Sequence, residues 1–165
     1  MPRLPTAKQR TIVIVLAVGP SNQQFMDIWN AGMCLMDSPL NDGLLGEGVD
    51  LIGSELTLER LILAARERYK WMPFCVVEEW VILDAILTED ELAKVAAAGC
   101  QPMFLFAHKV VHDEQRRFEP GDWVRSTIAR TFNDGYIFET RNTVYLLKGP
   151  GQRKSSSLQG IFSIF

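Results

Sequence analysis

The spacing of apolar residues changes several times along this chain, and each change predicts an element. Residues 12–18 are an unbroken apolar run of Ile, Val, Leu and Ala. β-Branched side chains dominate it, which fits a buried strand. Phe25, Ile28, Trp29, Gly32, Met33 and Met36 then recur at helical intervals, so a helix is predicted over residues 22–36. Ser21-Asn22-Gln23-Gln24 stands before it as a capping box, and Ser38-Pro39 ends it. Residues 38–54 hold Gly, Asp and Asn without a period and read as a long loop. Thr57 opens a second helix with Leu58, Leu61, Ile62, Ala65 and Tyr69 on one stripe, and Pro73 closes it.

Residues 74–85 carry no breaker and suit a strand or a helix; their Val and Trp content favours a strand. Thr88-Glu89-Asp90-Glu91 is a full capping box with Leu87 and Leu92 as its hydrophobic staple, and Gly99 supplies the stop. A helix between two strands over residues 74–113 predicts a βαβ or split-βαβ unit. After Pro102 the pattern alternates over residues 104–112, and Glu119-Pro120-Gly121-Asp122 has the order of a type II turn. A strand is predicted over residues 123–130, a hairpin at Asn133-Asp134-Gly135, and strands over 136–140 and 143–148. Gly149-Pro150-Gly151 reads as a break in the sheet, residues 152–157 as a polar mobile loop, and the apolar residues 158–165 as a last docked strand.

The fold class expected from this order is α+β. It has an N-terminal strand and helices, a β-α-β unit, then a C-terminal antiparallel β-sheet or small partly open barrel. At 165 residues the chain fits one domain. Residues 1–56 are expected to pack as an acidic helix and loop region on a β-sheet core of residues 57–165.

Charge divides the chain unevenly. Residues 11–59 contain no Lys or Arg but carry Asp27, Asp37, Asp42, Glu47, Asp50, Glu55 and Glu59. Residues 108–154 carry nine basic side chains against six acidic ones. Such a division suits partners of opposite charge, or a surface that mimics a polyanion, and also suits a merely solvated loop. Cys34, Cys75 and Cys100 are odd in number and lack C-x-x-C spacing, which argues for reduced thiols in the cytoplasm and against a zinc site. Arg3, Lys8 and Arg10 before the run at 12–18 resemble a signal peptide. The run is too short to span a bilayer, so no membrane association is expected.

One stretch is distinctive. Arg117-Phe118-Glu119-Pro120-Gly121-Asp122-Trp123-Val124-Arg125-Ser126-Thr127, then Phe138-Glu139-Thr140-Arg141-Asn142-Thr143-Val144-Tyr145 and Gly149-Pro150-Gly151-Gln152-Arg153-Lys154, resemble a family of uncharacterised proteins. The family occurs in proteobacterial genomes and in their phages and prophages, and the resemblance covers about residues 75–154. It implies a bacterial or phage cytoplasmic protein and no particular reaction.

His108 and His112 are the only histidines. On a strand, four residues separate them by about 13 Å, too far for one metal ion, and they are expected to share a face with Phe104, Phe106 and Val110. Either remains a candidate general base for a hydrolase or nuclease. Glu78 and Glu79 would point to opposite faces of a strand and so form no dyad. Cys75 and Cys100 read as structural thiols. No cofactor or metal is expected. The leading expectation is a non-enzymatic phage- or prophage-type accessory protein that binds a host protein or defence complex. An acidic patch of Asp37, Asp42, Glu47, Asp50 and Glu55 would make the contact. The alternative is a small nucleic-acid-binding β module using Trp123, Arg125, Arg141, Arg153 and Lys154.

Overall fold

The computed structural model describes residues 47–164. The strand expected at 12–18, the helix at 22–36, Cys34, Asp37, Asp42 and most of the loop at 38–54 lie outside the described residues. Residues 47–164 all belong to one compact unit.

In chain order the elements are β1 (Val49–Ile52), α1 (Leu58–Arg68), β2 (Phe74–Ile86), α2 (Glu89–Ala97), β3 (Met103–Asp113), β4 (Val124–Arg125), β5 (Thr131–Asn133), β6 (Ile137–Glu139), β7 (Val144–Leu147), β8 (Pro150–Ser157) and α3 (Leu158–Phe162). All the strands belong to one mixed, curled sheet, a half-barrel built around β2. On one side β2 pairs antiparallel with β3, which pairs in turn with β4. On its other side β2 is parallel first to β7 and then to β8, with β6 and β5 beyond β7 and β1 beyond β8. The fold is therefore α+β. No helix among the described residues is long and apolar enough to cross a membrane.

Local signals produced local structure. Thr57 caps α1 by accepting from Arg60 N–H, and Thr88 and Glu91 form the reciprocal capping box of α2. Gly99 leaves α2 with φ 67°. Gly121, at φ 96°, and the Asp122 N–H to Glu119 carbonyl bond of 3.0 Å form the type II turn. Asp134 and Gly135, at φ 55° and 73°, form the hairpin between β5 and β6.

Non-local pairing overrode other expectations. Residues 150–157 form β8, held between β1 and β2, not a mobile loop. Pro150 is tolerated because it is the first residue of the strand, at a level where pairing with β2 has not yet begun. The closing residues form the short helix α3, capped by Ser157, not a last strand. Within the loop expected at 38–54, residues 49–52 are the edge strand β1, so the sheet begins before residue 57. Of residues 123–130 only Val124 and Arg125 form a strand, though Ser126 and Ala129 still donate to Leu105 and Met103 along β3. The β2–α2–β3 segment has antiparallel strands; α2 closes a wide hairpin in place of a parallel crossover.

The sheet buries both faces. Inside the curl lie Cys75, Val77, Trp80, Ile82, Leu105, Ala107, Val110, Phe138, Tyr145 and Leu147. Outside, α1 places Leu61 and Ala65 against Phe74, Val76, Ile137, Val144 and Leu146. Farther along the same outer face, α3 places Ile161 against Val81, Leu83, Ala85, Phe104 and Phe106.

The inward positions of β2 change from odd to even numbers between Val77 and Trp80, and those of β3 from odd to even between Ala107 and Val110. Both strands therefore kink at one level. Glu79 takes φ 54° there, and Gly149 takes φ 69° between β7 and β8. Glu78 ties the kink together, accepting from Lys109 Nζ and Lys148 Nζ at 2.7 Å each.

Candidate surface on the outer face of the sheet

On the outer face of β2, α1 packs at Phe74 and Val76 and α3 from Val81 onward, so Glu78 and Glu79 lie between the two helix contacts. At the margin of α3, Asp50, Gln152, Val81, Phe106 and Arg125 are paired across β1, β8, β2, β3 and β4, with Val81 and Phe106 buried against the helix. The next rung, Leu51, Gly151, Trp80, Ala107 and Val124, belongs to the inner side. One step farther, Ile52 and Pro150 are paired and return to the outer face, at the level of Glu79, His108 and Trp123. Ile52 is 74% exposed and Trp123 37% exposed, and Pro150, Glu79 and His108 are exposed too. A belt of mixed apolar, aromatic and ionisable side chains thus crosses the sheet.

Part of the belt is a shallow cleft of about 310 Å³ lined by Asp50, Glu79, Val81, His108, Pro150 and Gln152. Gln152 Nε2 donates to Asp50 at 3.1 Å. His108 stands edge-on to Phe106 at 4.7 Å between ring centroids, and Trp123 lies 6.1 Å from the same ring. Glu79, a non-glycine residue at positive φ inside a central strand, is a strained position facing this cleft. The Glu78 carboxyl is held below the usual range by its hydrogen bonds from Lys109 and Lys148. The two glutamates do not alternate across the strand as expected, since both lie between the inward-facing Val77 and Trp80, and Lys109 is drawn by its bond to Glu78 and by the charge of Glu79.

The other sequence candidates are dispersed. Glu47, Asp50 and Glu55 are exposed around β1; Asp37 and Asp42 fall outside the described residues. Arg125 is half-buried, and burial lowers its pKa. Its Nη1 donates to the carbonyls of Ile161, Phe162 and Ile164 at 3.2–3.3 Å, and the guanidinium sits 4.9 Å from the centre of the Phe162 ring. Arg153 makes a two-pronged pair with Asp84 at 2.7 and 2.8 Å. Arg141 is exposed and Lys154 partly so.

His108 and His112 do not share a patch. A bulge opposite Val76 and Val77 shifts the register, Val110 turns into the inner core, and His112 packs on Phe74 at 5.8 Å. The buried Nε2 of His112 has no partner among the described residues. Cys75 is buried and its thiol is pushed up to about 12 by that burial, with Asp113 adding to the effect. That is opposite to what a nucleophilic thiolate requires. Among the described residues no cluster of three His, Cys, Asp or Glu side chains is placed to hold a metal ion.

Sequence reasoning missed Ile52 and the pairing of Asp50 with Gln152, and weighed Glu79 only as a partner of Glu78. One signal was available: two glutamates interrupt otherwise apolar runs at residues 74–77 and 80–83, which marks a strand that changes face.

No curated protein and no solved structure matches the chain. A family model, that of a domain of unknown function (DUF6957), matches residues 52–163. The match takes in Glu55, begins within β1, and leaves Glu47 and Asp50 just before it. Over that span the chain belongs to the DUF6957 family.

Proposed function

We propose that this protein acts by binding another protein, and that the belt between α1 and α3 is the surface it uses. The observation that carries the reading is the exposure of Ile52 and Trp123 on one sheet. Asp50 stands beside Ile52 on β1, and Glu79 lies on β2, between β1 and the β4 strand that Trp123 precedes. Aromatic and aliphatic anchors with a polar surround are the usual make-up of such contacts. Of the acidic patch expected from sequence, the proposed surface uses Asp50, with Glu47 and Glu55 near it in the chain, and it adds Glu79. A host factor or defence complex is the class of partner that the sequence resemblance suggests. Binding is favoured over catalysis because Cys75 is held protonated and His108 packs edge-on to Phe106.

The test is site-specific photocrosslinking in bacterial cells. A photoreactive residue at position 52 or 123 should join a discrete partner, and one at Leu63, exposed on α1, should not. Trp123→Ala should abolish the adduct formed from position 52. Equal crosslinking from position 63, or none from the belt, would remove this reading.

A further inference from the structure

The end of the belt at β1 has a property that side chains alone do not describe. Among the described residues β1 is the outermost strand on its side of the sheet, and β8 is its neighbour. Gly53 N–H donates to the Gly149 carbonyl at 2.9 Å. Antiparallel ladders alternate, so the odd-numbered residues of β1 face β8 while Asp50 and Ile52 turn their N–H and C=O groups away from it. Edge strands are usually guarded by lysines, prolines or bulges. This one carries Val49 at 66% and Ile52 at 74% exposure.

Its surroundings are mostly acidic, although the Lys154 side chain lies against Gly48 and Arg153, paired with Val49, is bound to Asp84. Glu47, Asp50 and Glu55 lie on or beside β1, and Glu79 lies across the cleft from Asp50. Residues 11–59 contain no Lys or Arg. A second copy of the chain, pairing β1 with β1, would set these carboxylates against their own kind, which disfavours that occupant. A basic segment meets the opposite situation.

We propose that β1 accepts an extended, basic segment of a partner protein as an added strand. Backbone groups of Asp50 and Ile52 bond to it, and its Lys or Arg side chains reach Asp50 and Glu79. Affinity then comes from the main chain and preference from alternate side chains, as in other strand-addition contacts. This deepens the binding reading above and rests on it.

The experiment pans the full chain against displayed short random peptides, then follows the winners by amide hydrogen exchange. Enriched peptides should carry Lys or Arg at alternate positions and slow exchange at Asp50 and Ile52. Ile52→Pro, which removes an outward N–H, should abolish their binding. Asp50→Lys keeps the backbone intact and should weaken them about tenfold or more, the scale of one close charge pair. It should also turn a repeat selection toward acidic peptides, which keeps the test decisive should Ile52→Pro fail to fold. Peptides lost with Trp123→Ala but kept with Ile52→Pro, leaving both amides unprotected, would overturn strand addition and preserve the belt. Enrichment of acidic peptides by the unaltered chain, or dimers in sedimentation that Ile52→Pro dissolves, would also overturn the proposal. So would a selection in which no sequence is enriched.

Discussion

Gly151 has no room for a side chain. A Cβ placed on it would lie 2.2–2.5 Å from atoms of the Trp80 ring. That ring is 1% exposed and its Nε1 donates to the Gly149 carbonyl, so it cannot retreat. Gly151→Ala should therefore destabilise the fold by about 3 kcal/mol, the upper end of overpacking, read as a lower denaturant midpoint. Arg117 is the second decisive residue. Its backbone N–H and its Nε and Nη2 donate to Asp113, whose side chain is fully buried, and its Nη1 donates to Thr143 at 2.8 Å. Arg117→Met should cost about 3 kcal/mol in the same assay, because it leaves a buried carboxylate without its cation. Asp113→Asn in that background should recover part of the loss. Arg117, Arg125 and Gly151, distinctive residues of the sequence, are thus accounted for by packing, while Trp123 stays exposed. Only the Arg117–Asp113 pair is local in sequence; Thr143, the carbonyls bound by Arg125 and the Trp80 ring against Gly151 all lie on distant segments.

The elements differ in how far they could be read from sequence, and the reason is range. Caps and turns at Thr57, Thr88, Gly121 and Asp134-Gly135 are decided within a few residues, and all are legible. β8 is not, because Gly149-Pro150-Gly151 and three serines look like a break unless β1 and β2 are known to flank them. α3 was signalled only by Ser157, which accepts from Gly160 N–H at 3.1 Å. The outer belt was legible at Asp50 and Trp123 and illegible at Ile52 and Glu79, whose places depend on the kink. Glu78 makes that kink testable by pH. Its folded pKa is depressed, so its contribution to stability is present above the ordinary value of 4.5 and is lost as pH falls through the folded value. Glu78→Gln should then lower the denaturant midpoint at pH 7, with a deficit that shrinks steadily as pH falls below 4.5. A deficit that does not change with pH would show that the carboxylate's charge is not what holds the strands. Glu79→Gly should leave stability unchanged or raise it by up to about 1 kcal/mol, since glycine carries no penalty at φ 54°.

At the scale of the molecule, the question is which charges are free to meet a partner. The formal charge is −3, and the basic residues that suggested nucleic-acid binding are largely committed internally. Arg153 is paired with Asp84, and Arg125 holds the C-terminal carbonyls of α3. Freeing Arg153 for a phosphate would break a two-pronged ion pair, and freeing Arg125 would undock a helix. The expected outcome of a low-salt mobility shift with DNA or RNA is therefore no retardation. Arg125→Ala should instead act on the fold. Losing charged hydrogen bonds to three carbonyls lowers stability by about 2 kcal/mol, and amide exchange in α3 should rise before that of β2 or β3. The opposite result has a definite form: retardation with a negative salt slope, reduced by Arg141→Ala and unaffected by Trp123→Ala. It would move the functional surface from the belt to the exposed arginine after β6, and the acidic edge at β1 would then serve solubility alone.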